Sequence, residues 1–244
     1  MKAVIFDVYE TLVSNSSNLW LDSFANICHN QNLRINHAEL WHNWWALEQQ
    51  FRSRRLDRDT MVLNHPFERY QEAWNECFQR VFDSMGMQGD ASEATRLCIS
   101  DLGHRPVFPE VIPVLKRLSE KFALAIVSNA DCSFLYPLLK FHGIQDMFRC
   151  IVSSEEARAY KPHPSIFASV VAQLGFPADQ VIHVGDTLHE DVLGGKLVGV
   201  QTGWINRTKK DFNDLPGAGS ELHPDFEFHT LNDLWEMLQE ESVS

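Results

Sequence analysis

The chain has 244 residues, 44% of them apolar, which suffices for one large domain or for a core domain carrying an insertion. Its 21 basic and 33 acidic side chains leave a formal charge of −12, which disfavours nonspecific nucleic-acid binding and means that any anion site must concentrate cations or a metal locally. Five scattered cysteines (Cys28, Cys77, Cys98, Cys132 and Cys150) form no close metal-ligand pair and read as free thiols of a reducing compartment.

The opening run is too short for a signal peptide and is interrupted by Asp7. No uninterrupted apolar segment of membrane length follows, so a cytoplasmic protein without membrane partners is expected. Residues 3–8 read as a short buried strand. LWLDSFANICH, HAELWHNWWALEQQF and FERYQEAWNECFQRVFDSM then follow as long helical patterns with no strand between them. Their simplest home is a helical insertion over 14–96, with 1–13 and 97–244 forming the core domain. Within it, Trp41, Trp44 and Trp45 have the spacing of a packed helix face, and the RSRRLDR run reads as a solvated helix end.

Beyond the insertion, strand and helix alternate. PEVIPVLKRLSEKF can place Val111, Val114, Leu115 and Leu118 on one helix face, and ALAIVSN (123–129) reads as the next strand. CIVSS is a third strand; PSIFASVVAQLGF is a helix with Ile166, Phe167, Val170, Val171 and Leu174 inward and Gly175 as its stop. QVIHVGD and LVGVQTGWI (197–205) are further strands, NRTKKDFNDLPGAGSELHPD a polar surface loop, and TLNDLWEMLQE a final helix after FEFH with Thr230 as N-cap and Asp233 three residues later. The alternation predicts an α/β fold with an open, mainly parallel sheet covered on both faces.

In such a sheet, residues just past the carboxyl ends of the strands converge on one crevice. Four segments put polar groups there: FDVYET with Asp7, IVSNAD with Ser128 and Asn129, AYKPHP with Lys161, and VGDTLHED with Asp186 and Asp191. A carboxylate can attack phosphorus or an activated carbon, and a lysine ammonium can offset its charge. Three acids brought together repel one another unless protons, Lys161 or a cation compensate, and Mg2+ does so through oxygen ligands. His183, inside a strand, is expected to be packed.

These motifs resemble the haloacid dehalogenase-like hydrolases, across nearly the whole chain. The resemblance implies a Rossmannoid three-layer core with an inserted helical cap and a covalent intermediate on Asp7. It assigns catalytic roles to Asp7, Thr11, Lys161 and Tyr9, substrate binding to Ser128 and Asn129, and a Mg2+ site to Asp7, the Tyr9 carbonyl, Asp186 and Asp191. Family phosphatases carry a second aspartate two residues after the nucleophile, where this chain has Tyr9. A tyrosine, with an ordinary pKa of about 10, is a poor substitute for that acid and base, and Glu10 beside it is a candidate replacement.

Two activities follow from this mixture. The Tyr9 form resembles the 2-haloacid dehalogenases, in which a halide leaves an Asp7 ester without needing a proton. GDTLHED instead resembles the metal-binding phosphatases, since the dehalogenases have serine at the position of Asp186. Their cap arginine falls nearest His42 here, with Arg52, Arg54 or Arg55 as substitutes. The favoured expectation is Mg2+-dependent hydrolysis of a small phosphorylated, hence anionic, metabolite through an aspartyl-phosphate; metal-independent dehalogenation and a noncatalytic binding protein are the alternatives. Substrate identity is left open, as is the choice between monomer and homodimer.

Overall fold

In the computed structural model, which describes residues 1–57, 60–214 and 219–240, six strands form a single sheet. They are β1 (Ala3–Phe6), β2 (Ala123–Ser128), β3 (Cys150–Ser153), β4 (Val181–Gly185), β5 (Gln201–Ile205) and β6 (Phe226–Phe228). Their order is β3-β2-β1-β4-β5-β6 and every pair is parallel. The described helices are α1 (Ser17–Asn30), α2 (His37–Arg54), α3 (Tyr70–Ser84), α4 (Ala91–Leu102), α5 (Val111–Ser119), α6 (Cys132–Phe141), α7 (Ser154–Ala157), α8 (Pro164–Leu174), α9 (Gly194–Leu197) and α10 (Leu231–Glu240). Arg58 of the RSRRLDR run and Pro216–Ala218 of the PGAGS turn lie outside the described residues.

Parallel strands covered on both faces need apolar side chains on both, which is why AVIF, ALAIVS and VIHVG are nearly continuous apolar runs. Ala3, Ile5, Ala125, Val127, Val152 and Val181 meet Ile166, Phe167, Val170 and Leu174 of α8. Val4, Phe6, Leu124 and Ile126 alternate with them and are equally buried. Helix α5 packs on β2 and buries the four residues expected of it; α8 stops at Gly175, whose φ of 75° suits glycine. The register sets Phe6 beside Ile126 and Val184, so the chain passes Asp7, Ser128 and Asp186 at the same edge. The strand order reverses at β1, and there a crevice opens.

The sheet and its helices make one compact unit of Met1–Ser14, Pro106–Asn129 and His142 onward; Asn15–Arg105 and Ala130–Phe141 make a second, all-helical one. The helical unit thus runs on past residue 96 and takes in α6. Its centre is aromatic: Trp44 lies 5.4 Å from Trp20, 5.3 Å from Phe24 and 5.7 Å from Trp74. Phe134 of α6 stacks on Trp74 at 5.8 Å, and Asp131 accepts from the Tyr70 and Gln71 amides that open α3. Trp44 and Trp45 of α2 therefore join helices, as their spacing suggests, while half-buried Trp41 meets Trp45 of its own helix.

Three local readings need correction. The stretch 197–205 is a strand only from Gln201, because α9 ends at Leu197 and Gly199 turns the chain with φ 77°. Arg55 is buried rather than solvated: its guanidinium lies 5.5 Å from Phe51 and 5.4 Å from Tyr70 and donates to the Tyr70 hydroxyl. Asn206 begins the polar loop but is itself buried, donating to the Lys210 carbonyl and Glu227. Helix α10 starts after Thr230 as read, with Asp233 accepting from the His229 and Thr230 amides. Among the described residues no helix is long and apolar enough to cross a membrane.

Candidate active site

Asp7 follows β1 directly, its amide still bonded to the Val184 carbonyl at 2.9 Å, so β4 fixes where its side chain begins. Its Oδ1 accepts from Lys161 Nζ at 2.6 Å and from the Ser128 hydroxyl at 3.2 Å, and the Thr11 hydroxyl lies 3.5 Å from Oδ2. Lys161 also donates to Asp191 Oδ1 at 2.6 Å. One ammonium thus bridges two carboxylates contributed by separate crossovers of the sheet.

Asp191 sits on a π-helical turn, Leu188–Leu193, that follows β4. Wider turns of this kind recur where a side chain must be aimed at a site. Here the turn carries the carboxylate back over its own start, where Oδ2 accepts from the Thr187 amide at 3.0 Å. Oδ1 is 3.0 Å from His183 Nε2, so the ring is packed, against Phe167, and also bonded to Asp191. Gly185 makes room for this: a Cβ there would stand 2.2 Å from Asp191 Cγ. The backbone carbonyl of Asp186 accepts from the Trp204 indole at 2.9 Å.

Asp7, Asp186 and Asp191 each bring an oxygen within 4.8 Å of the others. Burial pushes the carboxyl of Asp7 up, and Lys161 only partly offsets it. Asp186 is raised well above the usual range by burial, with the Asp7 and Asp191 carboxylates adding to the shift. Burial also opposes ionisation of Asp191, but Lys161 and His183 outweigh it and hold that carboxyl low. Lys161 is held protonated: burial works against its charge, and Asp191, Asp7 and Glu190 overcome it. Three carboxylates therefore face a single ammonium, a hard-oxygen donor set whose excess charge fits Mg2+.

The other expected residues divide between the two units. Tyr9 is half-buried in the turn behind Asp7, where it bridges to Val13. Asn129 faces inward to the protein: its Oδ1 accepts from the Lys161 amide at 2.8 Å, and its Nδ2 donates to the Lys161 carbonyl and to Glu190. His42 is exposed on α2 of the helical unit. Sequence reading had no signal for the His183–Asp191 pair, the Trp204–Asp186 bond or the Asn129–Glu190 contact, because each joins residues whose spacing follows no motif period. Beside the carboxylates, a cleft of about 470 Å³ is lined by Glu10, Asp186, His189, Trp204, Arg207 and Lys210, among others.

Residues 1–199 match the family described as haloacid dehalogenase-like hydrolase. The chain belongs to that family. Among the haloacid dehalogenase-like relatives, haloacetate dehalogenase H-2 of Moraxella sp. (strain B) is 30% identical over 60% of this chain and 65% of its own length. Glyceraldehyde 3-phosphate phosphatase of Methanopyrus kandleri is 32% identical over 54% of this chain and 57% of its own. The chain thus spans about three fifths of these two relatives. In fold it is similar to the HAD-hydrolase YfnB from Bacillus subtilis in a magnesium-bound crystal structure, with a TM-score of 0.79 at 20% identity over 98% of both chains. The L-2-haloacid dehalogenase RSc1362 gives 0.75 at 22% identity over 98% of this chain and 99% of its own. A dehalogenase and a phosphatase are both among these relatives, so family membership alone does not choose between the two activities.

Proposed function

We propose that this haloacid dehalogenase-like protein is a Mg2+-dependent hydrolase of small phosphorylated metabolites that works through an aspartyl-phosphate on Asp7. One observation carries the choice: Asp186, at the position where the dehalogenases have serine, joins Asp7 and Asp191 in one acidic cluster beside Lys161. Asp7, Asp186, Asp191 and the Tyr9 carbonyl would hold the ion, which when bound neutralises the carboxylates and the phosphoryl oxygens.

The chain's own groups divide the remaining work. A carboxylate oxygen of Asp7 bonds to phosphorus as the bond to the leaving oxygen breaks, and that oxygen takes a proton. Water then adds to phosphorus, releasing phosphate and restoring the carboxylate. Lys161 keeps Asp7 oriented and offsets the charge of the phosphoryl group, while the Ser128 and Thr11 hydroxyls stand ready to donate to its oxygens. Asn129 supports the reaction by gripping the backbone of Lys161, at both its amide and its carbonyl. We assign the proton for the leaving oxygen to the Tyr9 hydroxyl; a phenol is a poorer acid–base group than a carboxyl, so turnover is slow by roughly 10²–10⁴-fold relative to an enzyme with a second aspartate.

Tyr9 itself favours a second reading. In 2-haloacid dehalogenation Asp7 would displace halide from carbon, and water would hydrolyse the resulting ester. The two readings separate in one assay set: phosphate release from p-nitrophenyl phosphate and halide release from 2-chloropropionate, each with Mg2+ and with EDTA, for wild type and Asp7→Asn. Phosphate release that needs Mg2+ and Asp7 is the expected result. Halide release that persists in EDTA overturns it in favour of the dehalogenase, and neither product makes the protein a binding module.

A further inference from the structure

We propose that Arg207 is the positioning residue that clamps the loop behind Asp7, through Thr11. The loop from Asp7 to Ser14 is short and folded on itself: the Leu12 and Val13 amides both donate to the Val8 carbonyl, and the Glu10 amide donates to Val13. Glu10 adopts φ 64°, a left-handed conformation unfavourable for a residue with a side chain, so contacts that hold the turn closed count for more here. The hydroxyl of Thr11, at 3.5 Å from Asp7, is the loop's own contact with the nucleophile's carboxylate. A loop that drifts would take that hydroxyl with it.

Arg207, more than 190 residues later in the sequence, closes the turn from outside. Its Nη2 donates to the Thr11 carbonyl at 2.7 Å, and its Nη1 to Glu110 Oε1 at 2.7 Å. The guanidinium lies 3.6 Å over the ring of Phe108, whose amide in turn donates to the Leu12 carbonyl at 3.1 Å. Arg207 therefore holds Thr11, Phe108 and Glu110 together, beside backbone bonds that tie Leu12 to Phe108 and Ser14 to Pro106. The side chain is only 15% exposed. Its charge is met by Glu110, so although Arg207 borders the cleft it is not a free cation waiting for an anion. The planar fork and the stacking face are both in use, and a lysine has neither. Its work is mechanical: it turns the positions of β5 and of the segment before α5 into a fixed position for Thr11.

The catalytic half of this inference rests on the Asp7 reading; the structural half does not. Two measurements on the full chain separate them, with Arg207→Met removing every donor and Arg207→Lys keeping the charge and one donor. Amide hydrogen exchange of Glu10, Leu12 and Val13 is expected to speed by about 10-fold or more in Arg207→Met, with the β4 amides of Ile182 and Val184 unchanged. With p-nitrophenyl phosphate and Mg2+, kcat is expected to fall about 10- to 100-fold while KM stays within about 3-fold, because the donor is misplaced rather than lost. Arg207→Lys should recover part of both effects. Exchange that is unchanged at the loop, or that rises equally in β4, overturns the clamp. A loosened loop with unchanged kcat overturns its catalytic consequence. If wild type turns over no phosphate, the Asp7 reading fails by itself, and the exchange measurement still decides on the clamp.

Discussion

The two compact units handle buried charge in opposite ways. Among the described residues of the helical unit, the buried ionic groups are met one by one: Glu48 pairs with Arg52 at 2.5 Å, Arg55 donates to the Tyr70 hydroxyl, Arg105 donates to the Leu19 carbonyl and the Ser23 hydroxyl, and Asp131 caps the amides of α3. At the edge of the sheet three carboxyl groups share one lysine, which bonds two of them, so that ionising all three leaves a surplus of negative charge. Evening out charge is what stability favours, since an uncompensated buried ion costs several kcal/mol. A unit that leaves its charge uneven is set up to bind something that completes it.

The largest expected effect comes from removing the lone cation. Lys161→Met leaves three carboxylates facing one another; it should destabilise the Mg2+-free protein by about 3 kcal/mol or more and abolish turnover. Urea melts with and without Mg2+ check this, and the ion should rescue stability but not activity. Loss of less than about 1 kcal/mol would mean that the cluster is already neutral through protons, and the contrast between the units would collapse.

A smaller effect, of about 1–3 kcal/mol, is expected from Gly185→Ala, whose methyl would collide with Asp191. It should also weaken the Mg2+-induced rise in Tm, which a purely steric cost elsewhere in the sheet would leave alone.

Asp186→Asn sharpens the contrast because its sign is reversed. Removing one surplus carboxylate should stabilise the Mg2+-free protein above neutral pH by on the order of 1 kcal/mol while eliminating the Mg2+-induced stabilisation. The pH dependence follows from the raised pKa of Asp186. The folded state holds its proton where the unfolded chain, with a carboxyl near 3.9, has lost it. Stability without Mg2+ should therefore fall as pH rises from the ordinary carboxylate range through the raised pKa of Asp186. Thermal melts at stepped pH check the slope, which Asp186→Asn should flatten.

The smallest effect tests a locally balanced acid. Asp233 accepts from two amides at the start of α10, and its carboxyl is held low by them although partial burial opposes this. Asp233→Asn should cost about 1 kcal/mol, independent of Mg2+. With a depressed folded pKa, that contribution is present above the unfolded carboxyl range and is lost as pH falls through the folded value.

Much of the candidate site could be read from the linear chain. Asp7, Ser128 and Asp186 follow apolar runs too short for helices, and a run of that kind ending in a polar residue marks the edge of a parallel sheet. Lys161 and Asp191 came with the motifs beside them. Other features left no trace. Helix α6 is as apolar as a core helix, and nothing in CSFLYPLLKF announces that Phe134 will stack on Trp74. Arg55 looked solvated because its run is basic, yet two rings cover it. Nothing in the order of residues shows that the Asn129 amide also engages Lys161 and Glu190.

By itself the order of residues determined the α/β class, the edge of the sheet on which the polar groups would lie, and the acids and the base that would meet there. Period and spacing carry that information, because a strand and a helix bury their faces at different intervals. The tertiary structure alone decided which oxygen each donor reaches, that one ammonium serves two carboxylates, and that Arg207 grips Thr11 across the length of the chain. Hydrogen bonds and charge act over a few ångströms of space, without regard to separation along the sequence, so these pairings exist only once the strands are in register.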